Sequence, residues 1–121
     1  MPDTKCQILV VEDNVFIAME MEYLVEDCGC VVVGPCSNLA EAMATARDAG
    51  LDAAVIDVNL GEDRIWPLAD LLEERRVPFI LATGYTSNDV PDRFKERPLL
   101  SKPLHPHALE SALASLGLGP G

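Results

Sequence analysis

Five side chains that could take part in phosphoryl transfer stand at the ends of short apolar runs in this 121-residue chain. Glu12 and Asp13 follow the run ILVV, Asp57 ends the run AVID, Thr83 follows ILA and Lys102 follows LLS. Three neighbouring carboxylates repel one another unless a cation is bound or a proton is taken up. Oxygen ligands without His or Cys favour Mg²⁺, which also binds phosphate oxygens. A carboxylate can act as the nucleophile, while the lysine and the threonine would stabilise the transferred phosphoryl group.

Each of these residues has an ordinary structural interpretation when it is taken alone. An acidic residue after a strand is commonly a solvated loop residue or a helix cap, and a lysine before proline is commonly a surface residue. The set is informative because four different runs carry complementary members of one phosphotransfer site, and the segments between them carry no rival set.

Short apolar runs alternate with helical periods along the whole chain. We predict strands at residues 6–11, 30–33, 53–57, 77–82 and 99–101, and helices at about 14–28, 37–49, 65–75 and 106–116. Asp13 or Asn14 is expected to cap the first helix, and Ser37 or Asn38 the second. The charged stretch 87–97 contains Pro91, so only a short or irregular helix is expected there, and a loop is expected at 58–63.

This alternation predicts five βα units around a single parallel sheet that helices cover on both faces. Functional sites in such sheets lie outside the carboxyl ends of the strands. The five side chains named first are therefore expected to meet at one edge of the sheet.

Composition excludes several classes of partner. Nine Lys and Arg residues against twenty Asp and Glu residues give a formal charge of −11, so nucleic acid and anionic membranes are not expected as partners. No apolar stretch approaches the roughly 20 residues of a membrane span. The first residues show no signal segment, so we expect a cytoplasmic protein, with a flexible tail at 117–121.

The cysteines and histidines suggest weaker alternatives. All four cysteines are expected to be reduced, because a zinc site built on Cys28, Cys30 and Cys36 lacks a fourth ligand at a recognised spacing. His105 and His107 could form a metal pair, but Pro106 between them is better explained as the start of the last helix.

The runs ILVVEDN (8–14), AVIDVNL (54–60), ILATGY (80–85) and LLSKPL (99–104) together resemble the receiver domain of bacterial two-component response regulators. The resemblance covers nearly all of residues 1–121 and implies a flavodoxin-like (βα)5 fold with strand order 2-1-3-4-5. It implies that Asp57 accepts a phosphoryl group from a sensor histidine kinase or a phosphotransfer protein. It also implies the roles of six further residues. Glu12, Asp13 and the backbone carbonyl of Asn59 would hold Mg²⁺ with Asp57, Thr83 and Lys102 would bind the phosphoryl group, and the bond before Pro103 would be cis.

Two positions depart from the usual receiver pattern. Leu99 stands where receivers usually have a Tyr or Phe that switches together with the threonine. The run PFILATGY (78–85) is similar to a subgroup of stand-alone receivers with a PFxFATGY motif, and Gly84 replaces the commoner Ala or Ser. Tyr85 and residues 84–97 are therefore candidates for the switch, although Tyr85 could simply pack over the loop.

Three functions are compatible with the sequence. The first is a phosphorylation-controlled switch that contacts a downstream protein through residues 84–116, or that drains phosphoryl groups from a kinase. This interpretation is expected if the chain is complete, because no segment remains for an output domain. The second is a protein-binding module that does not need phosphate. The third is a small aspartate-nucleophile phosphatase, which is disfavoured because no cap insertion fits in the chain.

Two further features stay open on sequence grounds. Trp66 could pack near the loop after Asp57 or cover an edge of the sheet. Three basic residues at 93, 95 and 97 interrupt an acidic chain, and they form either a solvated face or part of a partner contact.

Overall fold

Five parallel strands form the central sheet of the protein. The computed structural model describes residues 6–60, 63–84, 90–94, 96–102 and 104–117, except for the side chains of Asn59 and Asp63. The sheet strands are β1 (Gln7–Val11), β2 (Val31–Cys36), β3 (Ala53–Asp57), β6 (Phe79–Thr83) and β7 (Leu99–Ser101). Their spatial order is β2-β1-β3-β6-β7. Because β6 and β7 are the fourth and fifth strands of this sheet along the chain, the predicted order 2-1-3-4-5 is confirmed.

Four α-helices in the described part of the chain cover the sheet on both faces. They are α1 (Val15–Asp27), α2 (Leu39–Asp48), α3 (Trp66–Glu74) and α4 (Pro106–Ser115). Ile8 and Val10 of β1 pack in one apolar layer with α1 and α4, whereas Leu9 and Val11 pack in the other with α2 and α3. Successive side chains of a strand point to opposite faces, so a central strand covered on both sides must be apolar throughout.

Asparagine side chains begin the first two helices. Asn14 accepts hydrogen bonds from the backbone N–H groups of Phe16 and Ile17, and Asn38 accepts one from Glu41. These bonds satisfy backbone donors that the first turn of a helix leaves unpaired. Of the alternatives that the sequence left open, the asparagine is therefore the cap in both cases.

Two segments differ from the prediction. The strand predicted at 30–33 continues through Gly34 and Pro35 to Cys36, which is possible because β2 is an edge strand. Gly34 has φ +98°, and a Cβ there would lie 2.7 Å from the backbone nitrogen of Cys36. The predicted loop at 58–63 contains a small antiparallel hairpin of β4 (Asn59–Leu60) and β5 (Asp63–Arg64). The short or irregular helix predicted within 87–97 is present among the described residues as one turn of 3₁₀ helix, Asp92–Phe94.

The expectation of four reduced thiols is wrong for two of them. Cys6 and Cys30 form a disulfide, while Cys28 and Cys36 are free and buried. Cys6 precedes β1 and Cys30 precedes the neighbouring β2, and their Cα atoms are 4.9 Å apart. This is the spacing of paired strands, so the two cysteines meet only once the sheet has formed.

Within the residues that the structure describes, no helix is both long enough and apolar enough to cross a membrane.

Candidate functional site

The carboxyl ends of two neighbouring strands bring the predicted acidic residues together. Glu12 and Asp13 follow β1, and Asp57 is the last residue of β3, which pairs with β1. One carboxylate oxygen from each of the three lies within 4.8 Å of the others. Glu12 and Asp57 are 2% and 1% exposed, whereas Asp13 is exposed. The set therefore combines two buried carboxylates with one that reaches solvent.

Lys102 neutralises part of this charge. Its Nζ lies 2.7 Å from Oε1 of Glu12 and 3.0 Å from Oδ1 of Asp57. Its backbone N–H donates a 2.8 Å hydrogen bond to the carbonyl of Thr83. Thr83 ends β6 and is buried, and it pairs in register with Ser101 on β7. The hydroxyl and the ammonium that the sequence predicted are thus joined to the same edge as the carboxylates.

Burial and charge pull the ionisation of this cluster in opposite directions. Burial raises the pKa of Glu12, with Asp57 adding to the effect, and the contact with Lys102 only partly offsets it. Burial alone would lower the pKa of Lys102, but its bonds to Glu12 and Asp57 outweigh burial and raise it. The lysine is therefore held in its charged form beside carboxylates that exceed it in number.

Backbone hydrogen bonds fix the positions of these side chains. The N–H of Glu12 donates to the carbonyl of Cys36 at 3.0 Å, which ties the end of β1 to β2. Oε2 of Glu12 accepts a 3.1 Å bond from the N–H of Asn14, the cap of α1. On the other side, the N–H of Val58 donates to the carbonyl of Ala82 at 2.8 Å. The site is thus held by the ends of regular elements, which suits precise positioning.

The chemistry of the donors fits a hard divalent cation. Three carboxylates supply oxygen atoms, and no sulfur or nitrogen ligand belongs to the cluster found among the described residues. Such a donor set suits Mg²⁺, and its excess of negative charge needs a cation. Asn59 begins β4 two residues after Asp57. The role of its carbonyl as a further ligand remains a prediction.

Several predicted positions lie elsewhere or outside the described residues. Tyr85 and Pro103 are outside them, so the switch role of Tyr85 and the cis bond before Pro103 stay predictions. Leu99 begins β7 and is 36% exposed. The position at which receivers usually carry an aromatic side chain is therefore an exposed leucine. His105 and His107 are both exposed, and Pro106 between them is the first residue of α4 as predicted.

An exposed apolar patch on α1 was not predicted. Phe16 is 82% exposed at the start of the helix, three residues after Asp13, and three further large apolar side chains of α1 are exposed. These are Val15, Met19 and Tyr23. The opposite face of α1 carries its buried residues, among them Ala18, Met21 and Leu24. The signal that could have revealed the patch is the presence of apolar residues among the acidic ones on the opposite face.

The structure also decides the environment of Trp66 and of the basic residues after position 90. Trp66 stacks on Phe94, with ring centroids 5.6 Å apart. Arg93 pairs with Asp70, and Arg97 pairs with Glu73. The two arginines are therefore paired with carboxylates of α3, and the Arg93–Asp70 pair is also exposed to solvent.

No protein-family model matches the chain. The solution structure of SdrG from Sphingomonas melonis Fr1 superposes with a TM-score of 0.85 and is 40% identical, covering 97% of this chain and 100% of that one. A BeF3-activated SdrG structure from Pseudomonas melonis Fr1 gives a TM-score of 0.77 at 42% identity, covering 91% and 94%. A CheY-like response regulator receiver domain protein from Methanospirillum hungatei JF-1 shares the fold, with a TM-score of 0.79 at 23% identity over 94% and 95%.

This chain belongs to the receiver-domain family of response regulators. Its predicted family and fold are thereby confirmed, and it groups with signalling modules rather than with ordinary enzymes. The receiver is also 34% identical over 121 residues to the phyllosphere-induced regulator PhyR of Methylorubrum extorquens, covering 93% of this chain and 43% of PhyR. The receiver spans between 24% and 55% of the length of the curated relatives that it matches. Membership of the PFxFATGY subgroup remains a prediction.

Proposed function

We propose that this receiver accepts a phosphoryl group on Asp57 in a Mg²⁺-dependent reaction. The observation that carries the proposal is the meeting of three carboxylates and one ammonium around the buried Asp57, with Thr83 on the adjoining strand end. An acidic cluster by itself would be ordinary. A lysine that bridges two buried carboxylates, on a loop hydrogen-bonded to a buried threonine, is the donor set that phosphoryl transfer needs.

The transfer itself requires little covalent chemistry from the protein. The carboxylate of Asp57 attacks phosphorus, a P–O bond forms, and the P–N bond to the histidine of the donor breaks, with the electron pair leaving on the imidazole. Mg²⁺ held by Glu12, Asp13, Asp57 and the Asn59 carbonyl would neutralise charge on the phosphoryl oxygens. Lys102 and the Thr83 hydroxyl would bind those oxygens and position them.

A sensor histidine kinase or a phosphotransfer protein is the proposed phosphodonor. It must bring its phosphohistidine over Asp13, the open side of the site, and the exposed apolar patch of α1 begins beside that residue. Phe16 and its neighbours offer exposed apolar area that a docking protein would bury, and acidic residues flank them on the same helix. We therefore propose that the donor docks on α1 with a surface that is apolar at its centre and basic at its rim.

Output is proposed to occur through protein contacts of residues 84–116, or by removal of phosphoryl groups from the kinase. A phosphoryl group adds a charge of about −1.5 to −2 and three acceptor oxygens at one edge of the sheet. Thr83 and Lys102 flank residues 84–101 in the chain, so a change in their positions when they bind the phosphoryl group would alter that surface.

The test is acceptance of a phosphoryl group from a small amido- or acyl-phosphate with Mg²⁺, followed by mass spectrometry. The wild type should gain the mass of one phosphoryl group, and chelation of Mg²⁺ or the Asp57→Asn substitution should abolish the gain. Asp48→Asn, which alters an exposed aspartate of α2, is the matched control and should behave like the wild type.

Other outcomes of this test would overturn the proposal. Failure of the folded wild-type protein to gain mass would favour a binding module that does not need phosphate. Continued turnover of a generic phosphomonoester that Asp57→Asn abolishes would favour the phosphatase.

A further inference from the structure

Three helices of the protein end in a left-handed turn, but the residue at the turn differs. The second residue after α1, α3 and α4 has a φ of +85° at Gly29, +61° at Arg76 and +83° at Gly117. Glycine is favoured in this conformation because any Cβ crowds the backbone. Arg76 is the only residue other than glycine with such a backbone in the described part of the chain. The protein therefore accepts strain at Arg76 that it avoids at the other two helix ends.

The turn after α3 does not itself require an arginine. The N–H of Arg76 donates to the carbonyl of Glu73 at 3.0 Å. In the matching turn after α1, the N–H of Gly29 donates to the carbonyl of Glu26 at 2.9 Å. These bonds involve only the backbone, so a glycine at position 76 would form them with less strain. A benefit that offsets the strain must therefore come from the side chain of Arg76.

The side chain of Arg76 lines a pocket of about 310 Å³ beside the beginning of β6, which we call the arginine pocket. The residues that line it are Glu73, Arg76, Val77, Pro78 and Arg97. Val77 and Pro78 provide an apolar wall, whereas two guanidinium groups and one carboxylate provide the polar lining. The pocket lies at the opposite end of β6 from Thr83, so it is separate from the proposed phosphoryl site.

Contacts on two sides hold Arg97 at the pocket. The central carbon of its guanidinium lies 5.4 Å from the centre of the Phe79 ring, and the guanidinium pairs with Glu73. This ion pair involves one terminal nitrogen, and the buried Nε has no hydrogen-bond partner in the part of the protein that the structure describes. A guanidinium has five N–H donors. Arg97 therefore has donor capacity that Glu73 does not fill.

Arg76 adds a positive charge without a partner. It is exposed, and no ion pair of its side chain is found within the described ranges. The two arginines exceed the one glutamate of the lining, so the pocket is locally positive in a chain with a formal charge of −11. Guanidinium groups bind carboxylates and phosphates through two parallel hydrogen bonds. An oxyanion is therefore the class of ligand that the pocket suits.

We propose that the arginine pocket binds the carboxylate or phosphate group of a small free organic anion. Arg76 and Arg97 would donate hydrogen bonds to its oxygen atoms, and its apolar part would rest on Val77 and Pro78. Because Glu73 competes with the ligand for Arg97, we expect a modest Kd of about 1 mM for the oxyanion alone. This inference does not depend on phosphorylation of Asp57, since the pocket lies at the other end of β6.

Binding is measured by NMR titration of the backbone amides with inorganic phosphate and with succinate. Mg²⁺ is left out, and the ionic strength is held constant with chloride. We expect saturable shifts at Arg76, Val77 and Arg97, and the tighter of the two anions identifies the preferred group. Arg76→Gln should weaken binding about tenfold, whereas Glu73→Gln should strengthen it about threefold by removing the competing carboxylate.

The control for these charge changes is Arg47→Gln, which alters an exposed arginine of α2. It removes the same charge as Arg76→Gln but lies outside the lining of the arginine pocket. Its Kd for both anions should equal that of the wild type. Weakening by Arg47→Gln equal to that by Arg76→Gln would show a general effect of net charge and overturn the proposal.

Arg76→Gly separates ligand binding from the formation of the turn. Glycine relieves the left-handed backbone, so this variant should melt about 3 °C higher than the wild type when no phosphate is present. Phosphate at about twenty times its Kd should raise the melting temperature of the wild type by about 5 °C. The same addition should leave Arg76→Gly unchanged. A variant that is more stable and yet fails to respond cannot owe that failure to misfolding.

Three results would overturn the arginine pocket as a binding site. The first is amide shifts that do not saturate or that chloride reproduces, because such shifts report only ionic strength. The second is an Arg76→Gly variant that still responds to phosphate, which would leave Arg76 a role in the turn alone. The third is shifts confined to Thr83 and Lys102, which would place the anion at the other end of β6.

Discussion

The two edges of the sheet are built in opposite ways. At the amino edge, a disulfide joins Cys6 to Cys30, and the N–H of Val31 donates to the carbonyl of Cys6 at 2.8 Å. Gln7 and Asp52 exchange two further bonds at 2.7 and 2.8 Å. At the carboxyl edge, Glu12 and Asp57 both contact the ammonium of Lys102, and Asp13 joins them in the carboxylate cluster.

The amino edge of the sheet therefore contributes stability, whereas the carboxyl edge holds the groups that could do chemistry. The amino edge pairs its polar groups within the chain and adds a covalent bond, so it favours one arrangement. The carboxyl edge gathers three carboxylates around one ammonium, which is costly until a cation binds. The fold therefore keeps its excess negative charge at the edge where a metal ion can neutralise it.

Removal of the Lys102 ammonium should have the largest effect on the stability of the protein. Lys102→Met removes the ammonium that contacts two buried carboxylates, and we expect the free energy of unfolding to fall by about 4 kcal/mol without Mg²⁺. Millimolar Mg²⁺ should restore part of the loss, because the cation takes over the neutralisation. The measurement is urea unfolding followed by circular dichroism. Arg47→Met is the control, and a loss no greater than in that variant would show that Lys102 does not carry the charge balance.

Reduction of the disulfide should affect only the amino edge. Opening the Cys6–Cys30 bond should lower the free energy of unfolding by about 3 kcal/mol, because a loop closed over 24 residues is freed in the unfolded state. Uptake of a phosphoryl group at Asp57, at the other end of the strands, should not change.

Thiol labelling tests whether the disulfide between Cys6 and Cys30 is present. Burial raises the pKa of both free thiols, Cys28 and Cys36, so less thiolate is present at neutral pH and the folded protein should alkylate slowly. After unfolding in urea we expect two reactive thiols without reductant and four with it. Four thiols in the unreduced protein would contradict the disulfide.

Substitution of Phe16, an exposed aromatic residue of α1, should have the smallest effect. Phe16→Ser should slow transfer from the kinase about tenfold, the loss expected for one good contact in an interface. Transfer from a small phosphodonor should be unchanged. Val31→Ser, which alters an apolar residue that is 43% exposed at the amino edge, is the matched control. Equal slowing in both variants would place the docking surface elsewhere.

The sequence was a good guide wherever position along a strand decides the outcome. Parallel strands align their carboxyl ends, so residues that follow buried apolar runs meet at one edge whatever lies between the runs. This is why Asp57, Glu12 and Lys102 could be placed together from their order in the chain. The apolar character of every residue from Ile8 to Val11 likewise predicted a central strand with both faces covered.

The sequence was a poor guide to the pairing of residues that only the folded structure brings together. Cys6 could pair with Cys30 only after β1 and β2 became neighbours in register. The hairpin after Asp57 and the continuation of β2 through Pro35 depend on local pairing that their composition does not signal.

By itself, the sequence determined the alternation of strands and helices and the set of side chains gathered around Asp57. Periodicity and the chirality of crossover connections fix these features, and both act along the chain. Only the tertiary structure decided that Phe94 packs on Trp66 and that Arg93 pairs with Asp70. Contacts between single residues far apart in the chain leave no periodic trace, because their partners are set by how α3 and residues 90–94 pack against each other.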